Sequence, residues 1–322
     1  MKKILFIHSD CIFMPEEGRV IFRPGVIANL ANICEQLDFL LVLIKNDNAL
    51  NQNGIEILKN ERILFTMEIS SNELGSFIKG GELSESFNKT QSYIIERISN
   101  NDTYLVKQLS SNQKLFETSS WKEIFLYLQK QPRVAKTYRK TSETTIELEL
   151  NLDGSGHAEI STGIGFLDHM ITQIARHGGF DIRLNAQGDY NVDEHHITED
   201  IAIALGDTFY KAMGSKKGIE RYGFVLPMDD CLAQVAIDFS GRPWLVWDAT
   251  FKREKIGEMP TEMFYHFFKS FCDTAKCNLH IKAEGENEHH KIEAIFKAFA
   301  RALRIAVQKT GQNEIPSTKG VL

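Results

Sequence analysis

The sequence predicts two domains of different class. The first, residues 1–130, is α/β on a parallel sheet. The second, residues 133–322, is α+β and built from two pseudo-symmetric repeats, about 139–217 and 218–310. Three observations carry this. Residues 4–7, 26–36 and 39–44 read as strand, helix and strand, the order of a βαβ unit. Around Gln131-Pro132-Arg133 the texture changes from continuous apolar runs to strict alternation. Beyond that point one pattern occurs twice, His195-His196-Ile197-Thr198-Glu199 and His289-His290-Lys291-Ile292-Glu293, each leading into an alanine-rich helical run.

Taken in order, the short basic-then-apolar start ends at His8-Ser9-Asp10, too soon for a signal peptide, and reads as a first strand. Pro24-Gly25 opens the helix 26–36. Further strands are expected at 62–64 and 103–106, helices at 90–98 and 121–129, and a loop across the Ser-, Gly-, Asn- and Glu-rich stretch 70–87. In the second domain Thr-Ile-Glu-Leu-Glu-Leu alternation makes 144–150 a half-buried strand. Asp153-Gly154-Ser155-Gly156 is expected to turn it into a hairpin with 157–161. A helix at 166–175, a strand at 180–186, a short strand ending at Val192 and the first His-His helix follow. Strands over 226–239 and 243–251, a helix over 261–274, a strand over 279–283 and the second His-His helix repeat the order.

The bulk numbers bound the function. Hydrophobic content of 43% and charged content of 25% are those of a globular protein. A net charge of −6 argues against nucleic acid as a partner. No apolar run reaches the length of a membrane span. The five cysteines form neither a disulfide framework nor zinc-type pairs, so a reducing cytoplasm is the expected compartment.

The doubled motif carries the chemistry. Imidazole nitrogens and carboxylate oxygens together suit transition metals. Residues four apart share a helix face, so His195 with Glu199, and His289 with Glu293, each grip one ion. His196 and His290 lie about 100° further round their helices and point elsewhere, toward a second ion. His169 and His266 stand at matching places on the preceding helices. A lone His-His pair is usually surface decoration; recurrence in register argues for ligands. The set is His169, His195, His196, Glu199, His266, His289, His290 and Glu293, four for each of two ions. Mn²⁺ or Fe²⁺ in six-coordination suits it, and zinc fits the same donors. Arg221, Arg242, Ser317 and Lys319 are candidates for binding a phosphate. Glu143 is either an acid/base or a charge at a strand start.

These residues resemble a family. Thr141-Ser142-Glu143-Thr144, Thr162-Gly163-Ile164-Gly165-Phe166-Leu167-Asp168-His169-Met170, both His-His-x-x-Glu motifs, Ser240-Gly241-Arg242-Pro243 and Pro316-Ser317-Thr318-Lys319-Gly320 closely resemble imidazoleglycerol-phosphate dehydratase, from about Arg133 to Leu322. The resemblance implies a hydro-lyase of histidine biosynthesis that converts imidazole glycerol phosphate to imidazole acetol phosphate and water. It implies a fold like domain 2 of ribosomal protein S5. It implies two Mn²⁺ per site holding the substrate ring as imidazolate, and sites completed between subunits of a homo-oligomer, a 24-mer. It makes the eight residues the metal ligands, places His169, Glu143, His177, Arg221, Arg242, Ser317 and Lys319 on the small-molecule phosphate substrate, and gives Glu143 and His177 catalytic roles.

The N-terminal half is similar to the histidinol-phosphate phosphatase half of the bifunctional version of this enzyme, of the haloacid-dehalogenase class with its Rossmann-like sheet. Phe22-Arg23-Pro24-Gly25-Val26-Ile27 and Ile44-Lys45-Asn46-Asp47 carry the likeness. The catalytic positions depart from it. Such phosphatases open with Asp-x-Asp-Gly-Thr; here the stretch is His8-Ser9-Asp10-Cys11-Ile12, with His8 in the nucleophile's place. Lys45 replaces a phosphate-binding Thr or Ser, Lys89 matches the family lysine, and the late metal motif reads Lys107-Gln108…Asn112. An aspartyl-phosphate route requires the missing carboxylates, so a degenerate phosphatase domain is expected. The alternatives are a bifunctional enzyme still hydrolysing histidinol phosphate and a catalytically silent metal-binding scaffold.

Overall fold

The computed structural model describes residues 3–16, 19–37, 39–45, 52–79, 91–98, 102–190, 192–311 and 314–320. The chain divides into two compact units, Met1–Gln131 and Pro132–Leu322.

In the first unit β1 (Lys3–His8), β4 (Phe39–Lys45), β5 (Phe65–Ser70), β6 (Tyr93–Ile98), β7 (Thr103–Gln108) and β8 (Lys114–Thr118) form one sheet in the order β5-β4-β1-β6-β7-β8. The pairs β1–β4, β4–β5 and β1–β6 are parallel; β6–β7 and β7–β8 are antiparallel. A parallel sheet has no solvated face. Along β1, Leu5 and Ile7 pack with Val26, Leu30 and Ile33 of α2 (Val26–Gln36) and with Trp121, Ile124 and Leu128 of the later helix Trp121–Gln129. Ile4 and Phe6 pack on the other side with Val42, Ile44 and Ile94. A short helix, α1 (Ser9–Ile12), and a small hairpin, β2 (Phe13–Glu16) with β3 (Arg19–Phe22), fill the β1–α2 connection.

Several expectations for this unit are corrected. Residues 93–98 are strand, not helix: Tyr93, Ile94 and Ile95 are buried together between β1 and β7, with which this segment pairs. Residues 62–64 are a turn and approach to β5, with Arg62 at φ 59 closing a helix over Gln52–Asn60. Within the expected loop lies a one-and-a-half-turn helix, Leu74–Lys79, opened by the Glu73 carboxylate accepting from Ser70 N at 2.7 Å. Lys89, and residues 80–90 with it, lie outside the described residues.

The second unit repeats one plan twice. β9 (Val134–Lys140) and β10 (Thr144–Asn151) form a hairpin; β11 (Ala158–Ser161), helix Gly165–Gly178, β12 (Asp181–Gly188) and helix His195–Met213 follow. β13 (Tyr222–Met228), β14 (Cys231–Asp238), β15 (Trp244–Ala249), helix Glu262–Ala275, the strand Asn278–Glu284 and helix Glu288–Val307 repeat the order. The sheets match: β11-β12-β10-β9 in one, β15-(278–284)-β14-β13 in the other. The first repeat therefore begins at Val134, ahead of residue 139.

Here too the structure corrects details. The strand after Asp153–Gly156 does not fold back on β10. It joins the far side of β12 in parallel, Ala158 opposite Ile182, and β10 takes β9 as its hairpin partner. Residues 189, 190 and 192 form turns rather than a strand. Residues 226–239 are two strands, broken at Asp229 with φ 47.

The four helices of this unit cross between repeats. Helix 195–213 packs on helix 262–275, and helix 288–307 on helix 165–178. Gly206 makes the first crossing close: a Cβ there would stand 2.6 Å from the Phe271 carbonyl oxygen. Phe264, Phe267, Phe268, Phe271, Phe296 and Phe299 are all fully buried between the helices, each worth about 2 kcal/mol of apolar burial.

Candidate metal and substrate site

The helix crossings assemble two clusters, each from both repeats. His195 and Glu199, one turn apart on helix 195–213, meet His266 from helix 262–275. His195 Nε2 lies 3.3 Å and His266 Nδ1 2.9 Å from Glu199 Oε1. In the other cluster His289 and Glu293 meet His169 from helix 165–178. His289 Nε2 is 3.6 Å from Glu293 Oε2, and His169 Nε2 is 4.0 Å from Glu293 Oε1. In each triad the donor atoms lie within 4.8 Å of one another. Two imidazoles and a carboxylate converging so closely are a donor set for one divalent transition ion, so the residues fit the group.

The helix starts are pinned. Asn287 caps the second His-His helix, accepting from His289 N at 3.0 Å and His290 N at 3.2 Å. In the first repeat Asp193 accepts from His195 N at 2.9 Å.

His196 and His290 belong to neither triad. His196 Nδ1 faces Glu143 Oε2 and Asp189 Oδ2, each at 3.5 Å. His290 Nδ1 is 3.1 Å from Asp230 Oδ1. Partial burial alone would lower the His196 pKa; the carboxylates, Glu143 foremost, outweigh it and raise it. Asp230 is held well below the usual carboxylate range, chiefly by the backbone N–H of Asn287 and by His290. Glu143 sits in the β9–β10 turn, where its N–H donates to Thr141 Oγ1 at 3.2 Å. Asp200, one residue past Glu199, ties that turn to the helix: Thr144 Oγ1 donates to it at 2.5 Å and Arg139 Nη2 at 2.6 Å.

His177 lies beside the Glu293 triad. Gln173 bridges it to His169, with His177 Nε2 at 3.0 Å from Gln173 Oε1 and His169 Nε2 at 3.4 Å from Gln173 Nε2. Desolvation first, then the charges of Lys297 and Arg301, push the His177 pKa down. Arg221 is engaged within the chain. It donates to both Asp238 carboxylate oxygens, at 2.6 and 3.0 Å, and its Nη1 holds the Pro316 carbonyl at 2.7 Å. The contact fastens the segment bearing Ser317, whose Oγ accepts from Lys319 N at 3.2 Å. Arg242 and Lys319 are exposed.

The sequence reading missed Gln173, Lys297, Asp189, Asp200 and Asp230. Lys297 Nζ pairs with Glu293 at 2.8 Å. Helical spacing was a usable signal for two: Gln173 is four residues from both His169 and His177, and Lys297 is four from Glu293. No local pattern marks the aspartates.

In the first unit His8 ends β1, and Lys45 ends β4 and pairs with Glu68. Asp10, on α1, gives its carbonyl to Arg23 Nε at 2.6 Å. The assignment of the late metal motif to Lys107-Gln108…Asn112 is corrected. Gln108 pairs with Tyr93 across antiparallel β6 and β7, at the opposite end of the sheet from His8. The β6 residue near Asp10 is Arg97, its Nε 3.6 Å from Asp10 Oδ2.

A family profile described as imidazoleglycerol-phosphate dehydratase matches residues 162–303. Histidine biosynthesis bifunctional protein HisB of Spirosoma linguale is 61% identical over 384 residues, covering all of both chains. The protein of that name from Bacteroides fragilis is 44% identical over 376 residues, again covering all of both. Both alignments are longer than the 322 residues here, so these relatives carry stretches that this chain lacks. Among solved structures, imidazoleglycerol-phosphate dehydratase from Staphylococcus aureus is 40% identical with a TM-score of 0.50, over 55% of this chain and 99% of that one. The Pyrococcus furiosus enzyme, in complex with (S)-C348, is 34% identical with a TM-score of 0.51, over 58% and 100%. No described helix is long and apolar enough to cross a membrane.

Proposed function

The chain belongs to the family of the histidine biosynthesis bifunctional protein HisB, with a dehydratase domain in its C-terminal region, and from that premise we propose the following division of labour. The second unit dehydrates imidazole glycerol phosphate to imidazole acetol phosphate at a site with two Mn²⁺ ions. The observation that carries this is the pair of reciprocal triads, His195–Glu199–His266 and His289–Glu293–His169. His195, Glu199 and His266 would hold one ion and His289, Glu293 and His169 the other, and bound ions would supply Lewis acidity to the substrate imidazole.

The protein's own groups do the rest. The two triads orient the ring. Glu143 takes the proton from the side-chain carbon after hydroxide departs; its turn is tied to the first His-His helix through Asp200. His177 serves as the proton donor to the departing oxygen in this reading; burial, with Lys297 and Arg301, disfavours its cation, so that once protonated it gives the proton up readily. Arg221, Arg242, Ser317 and Lys319 hold the phosphate; the Arg221–Pro316 contact keeps the tail near that arginine. His196 and His290 turn outward from the triads and complete the coordination of ions in neighbouring subunits of a homo-oligomer. Exposed Tyr222, Phe224 and Trp244 on the second sheet support self-association. Metal analysis with a dehydratase assay tests the reading: two ions per chain and turnover of imidazole glycerol phosphate are expected. Glu143→Gln should keep the metal and lose about a hundredfold or more in kcat; near-wild-type turnover removes Glu143 from the proton transfer.

The first unit is a haloacid-dehalogenase-like phosphatase domain that has lost its activity. His8 stands in the nucleophile's place, and Arg97 rather than a carboxylate lies beside Asp10. The name shared by the relatives favours the second reading, a live phosphatase. Phosphate release from histidinol phosphate with Mg²⁺ by the full chain decides between them.

A further inference from the structure

Strand pairing matches the two repeats of the second unit position by position. Ile146 pairs with Ala186 on one side and Arg139 on the other, as Ala233 pairs with Ala283 and Leu226. Two residues earlier on the same strands, Thr144 therefore corresponds to Cys231. On the following helices the doubled His-His-x-x-Glu pattern sets Asp200 against Ala294. The first repeat thus carries Arg139, Thr144 and Asp200 where the second carries Leu226, Cys231 and Ala294. Thr144, Asp200, Cys231 and Ala294 are all buried. The fold is built at these positions without a charge in the second repeat, and a buried carboxylate costs free energy unless its bonds are complete.

In the first repeat both carboxylate oxygens are engaged. Arg139 Nε and Nη2 donate to Asp200 Oδ1 at 2.9 and 2.6 Å, and Thr144 Oγ1 donates to Oδ2 at 2.5 Å. The Thr144 proton is spent on the carboxylate, so in the 3.1 Å contact between the two hydroxyls Thr141 donates to Thr144. Thr141 Oγ1 in turn accepts from the N–H groups of Glu143, at 3.2 Å, and Thr144, at 2.9 Å. Every link runs one way, from the backbone of Glu143 to the Asp200 carboxylate, and bonds aligned in this way strengthen one another. The second repeat has no such chain: the carboxylate in its turn, Asp230, accepts from Glu286 N and Asn287 N at 3.0 Å each. One peptide bond separates Asp200 from Glu199, so the helix that bears His195, His196 and Glu199 also anchors the turn from which Glu143 projects. Taking Glu143 as the base of the proposed dehydration, on which this rests, we propose that Arg139, Thr141, Thr144 and Asp200 are positioning residues. They fix the Glu143 turn in register with the ligand-bearing helix, and the buried carboxylate serves the placement of the base rather than the stability of the fold.

The test uses the full chain with Mn²⁺ and imidazole glycerol phosphate. Thr144→Val keeps the shape and removes the hydroxyl. It is expected to keep the metal content and KM of the wild type and to lose about tenfold in kcat, the scale of a slightly misplaced reacting group. Thr144→Ser restores kcat. Thr141→Val breaks the next link, gives the same loss confined to kcat, and replaces Thr144→Val should that variant not fold. In a Glu143→Gln background Thr144→Val causes no further loss, because the group it positions is gone. Amide hydrogen exchange adds a readout independent of turnover: the segment 141–144 exchanges faster in Thr144→Val, and helix 195–213 does not. Wild-type kcat in both valine variants overturns the proposal. An equal loss with and without the Glu143 carboxylate also overturns it, since that marks a purely structural role. Near-wild-type turnover by Glu143→Gln alone removes the base itself, a result distinct from either.

Discussion

The two repeats of the second unit share a sheet order and a helix plan, yet their outer sheet faces have diverged. Across the first sheet runs the row Glu159–Arg183–Glu149–Lys136. Arg183 pairs with Glu159 at 2.6 Å and Lys136 with Glu149 at 2.8 Å. The corresponding face of the second sheet carries Phe224, 64% exposed, and Trp244, 66% exposed. The inner faces remain alike: Ile146, Leu148 and Leu150 in one, Ala233, Val235 and Ile237 in the other, all buried. Burial constrains inner residues to apolar types of fitting volume, whereas an outer position tolerates any side chain that its surroundings wet or cover. The triads divide differently again, since each draws on both repeats. Neither repeat alone presents a site.

That exchange predicts the largest effect. Glu199→Gln and Glu293→Gln should each cost one of two bound ions per chain and lower turnover by on the order of a hundredfold or more. Metal content by emission spectrometry, with kcat for each variant, checks it. Full metal content in either would mean that the two clusters are not equivalent.

A second difference lies at the start of the strand after each repeat's first helix. Asp181 accepts N–H bonds from Ser155, Gly156 and His157 at 2.8, 3.2 and 3.0 Å. Its counterpart Asn278 instead donates to the Arg242 carbonyl at 2.5 Å. Asp181→Asn should destabilise by about 1.5 kcal/mol at neutral pH, the value of losing charge-assisted bonds at a partly exposed site. Partial burial alone would raise the Asp181 pKa, but these N–H groups outweigh it and depress it. A depressed folded pKa gives stability that is present above the unfolded value and lost as pH falls through the folded one. The gap between wild type and variant in urea melts should therefore be full above pH 5 and shrink below about 3.9.

The caps sharpen the comparison further. Asn287→Ala should cost about 1 kcal/mol through two lost acceptor contacts at the second His-His helix. The smallest effect belongs to the charged row: Lys136→Ala should change stability by less than about 0.5 kcal/mol. A larger loss there would mean that the outer face of the first sheet is a cooperative network.

Much was legible without coordinates. The alternation of residues 144–150 defines a strand because one face meets a core and the other meets water. The doubled His-His-x-x-Glu pattern marks its own helix face because four residues make about one turn. Helices 26–36 and 121–129 have the predicted ends, since Gly25 and Ser120 stop the preceding backbone. The misreadings of strand 93–98 and of the pairing of 157–161 were long-range in origin, whereas the breaks at Arg62 and Asp229 are local turns at positive φ. Nothing near residues 157–161 says that this strand pairs in parallel with β12 rather than with its sequence neighbour β10. Residues 93–98 contain helix-compatible Glu96 and Arg97, and only their place between β1 and β7 makes them strand.

The sequence by itself determined which residues could ligate, the local helix and strand periods, and the duplication, because each depends on neighbours within a few positions. Only the tertiary structure decided which ligands meet. His266 faces Glu199 and His169 faces Glu293 because helices from different repeats cross, with Gly206 letting one pair approach. Asp189 and Asp230 reach His196 and His290 from turns 7 and 60 residues away, and Arg23 and Arg97, far apart in the chain, meet the same Asp102 oxygen. Contacts of that kind are set by packing and strand order, which no local pattern encodes.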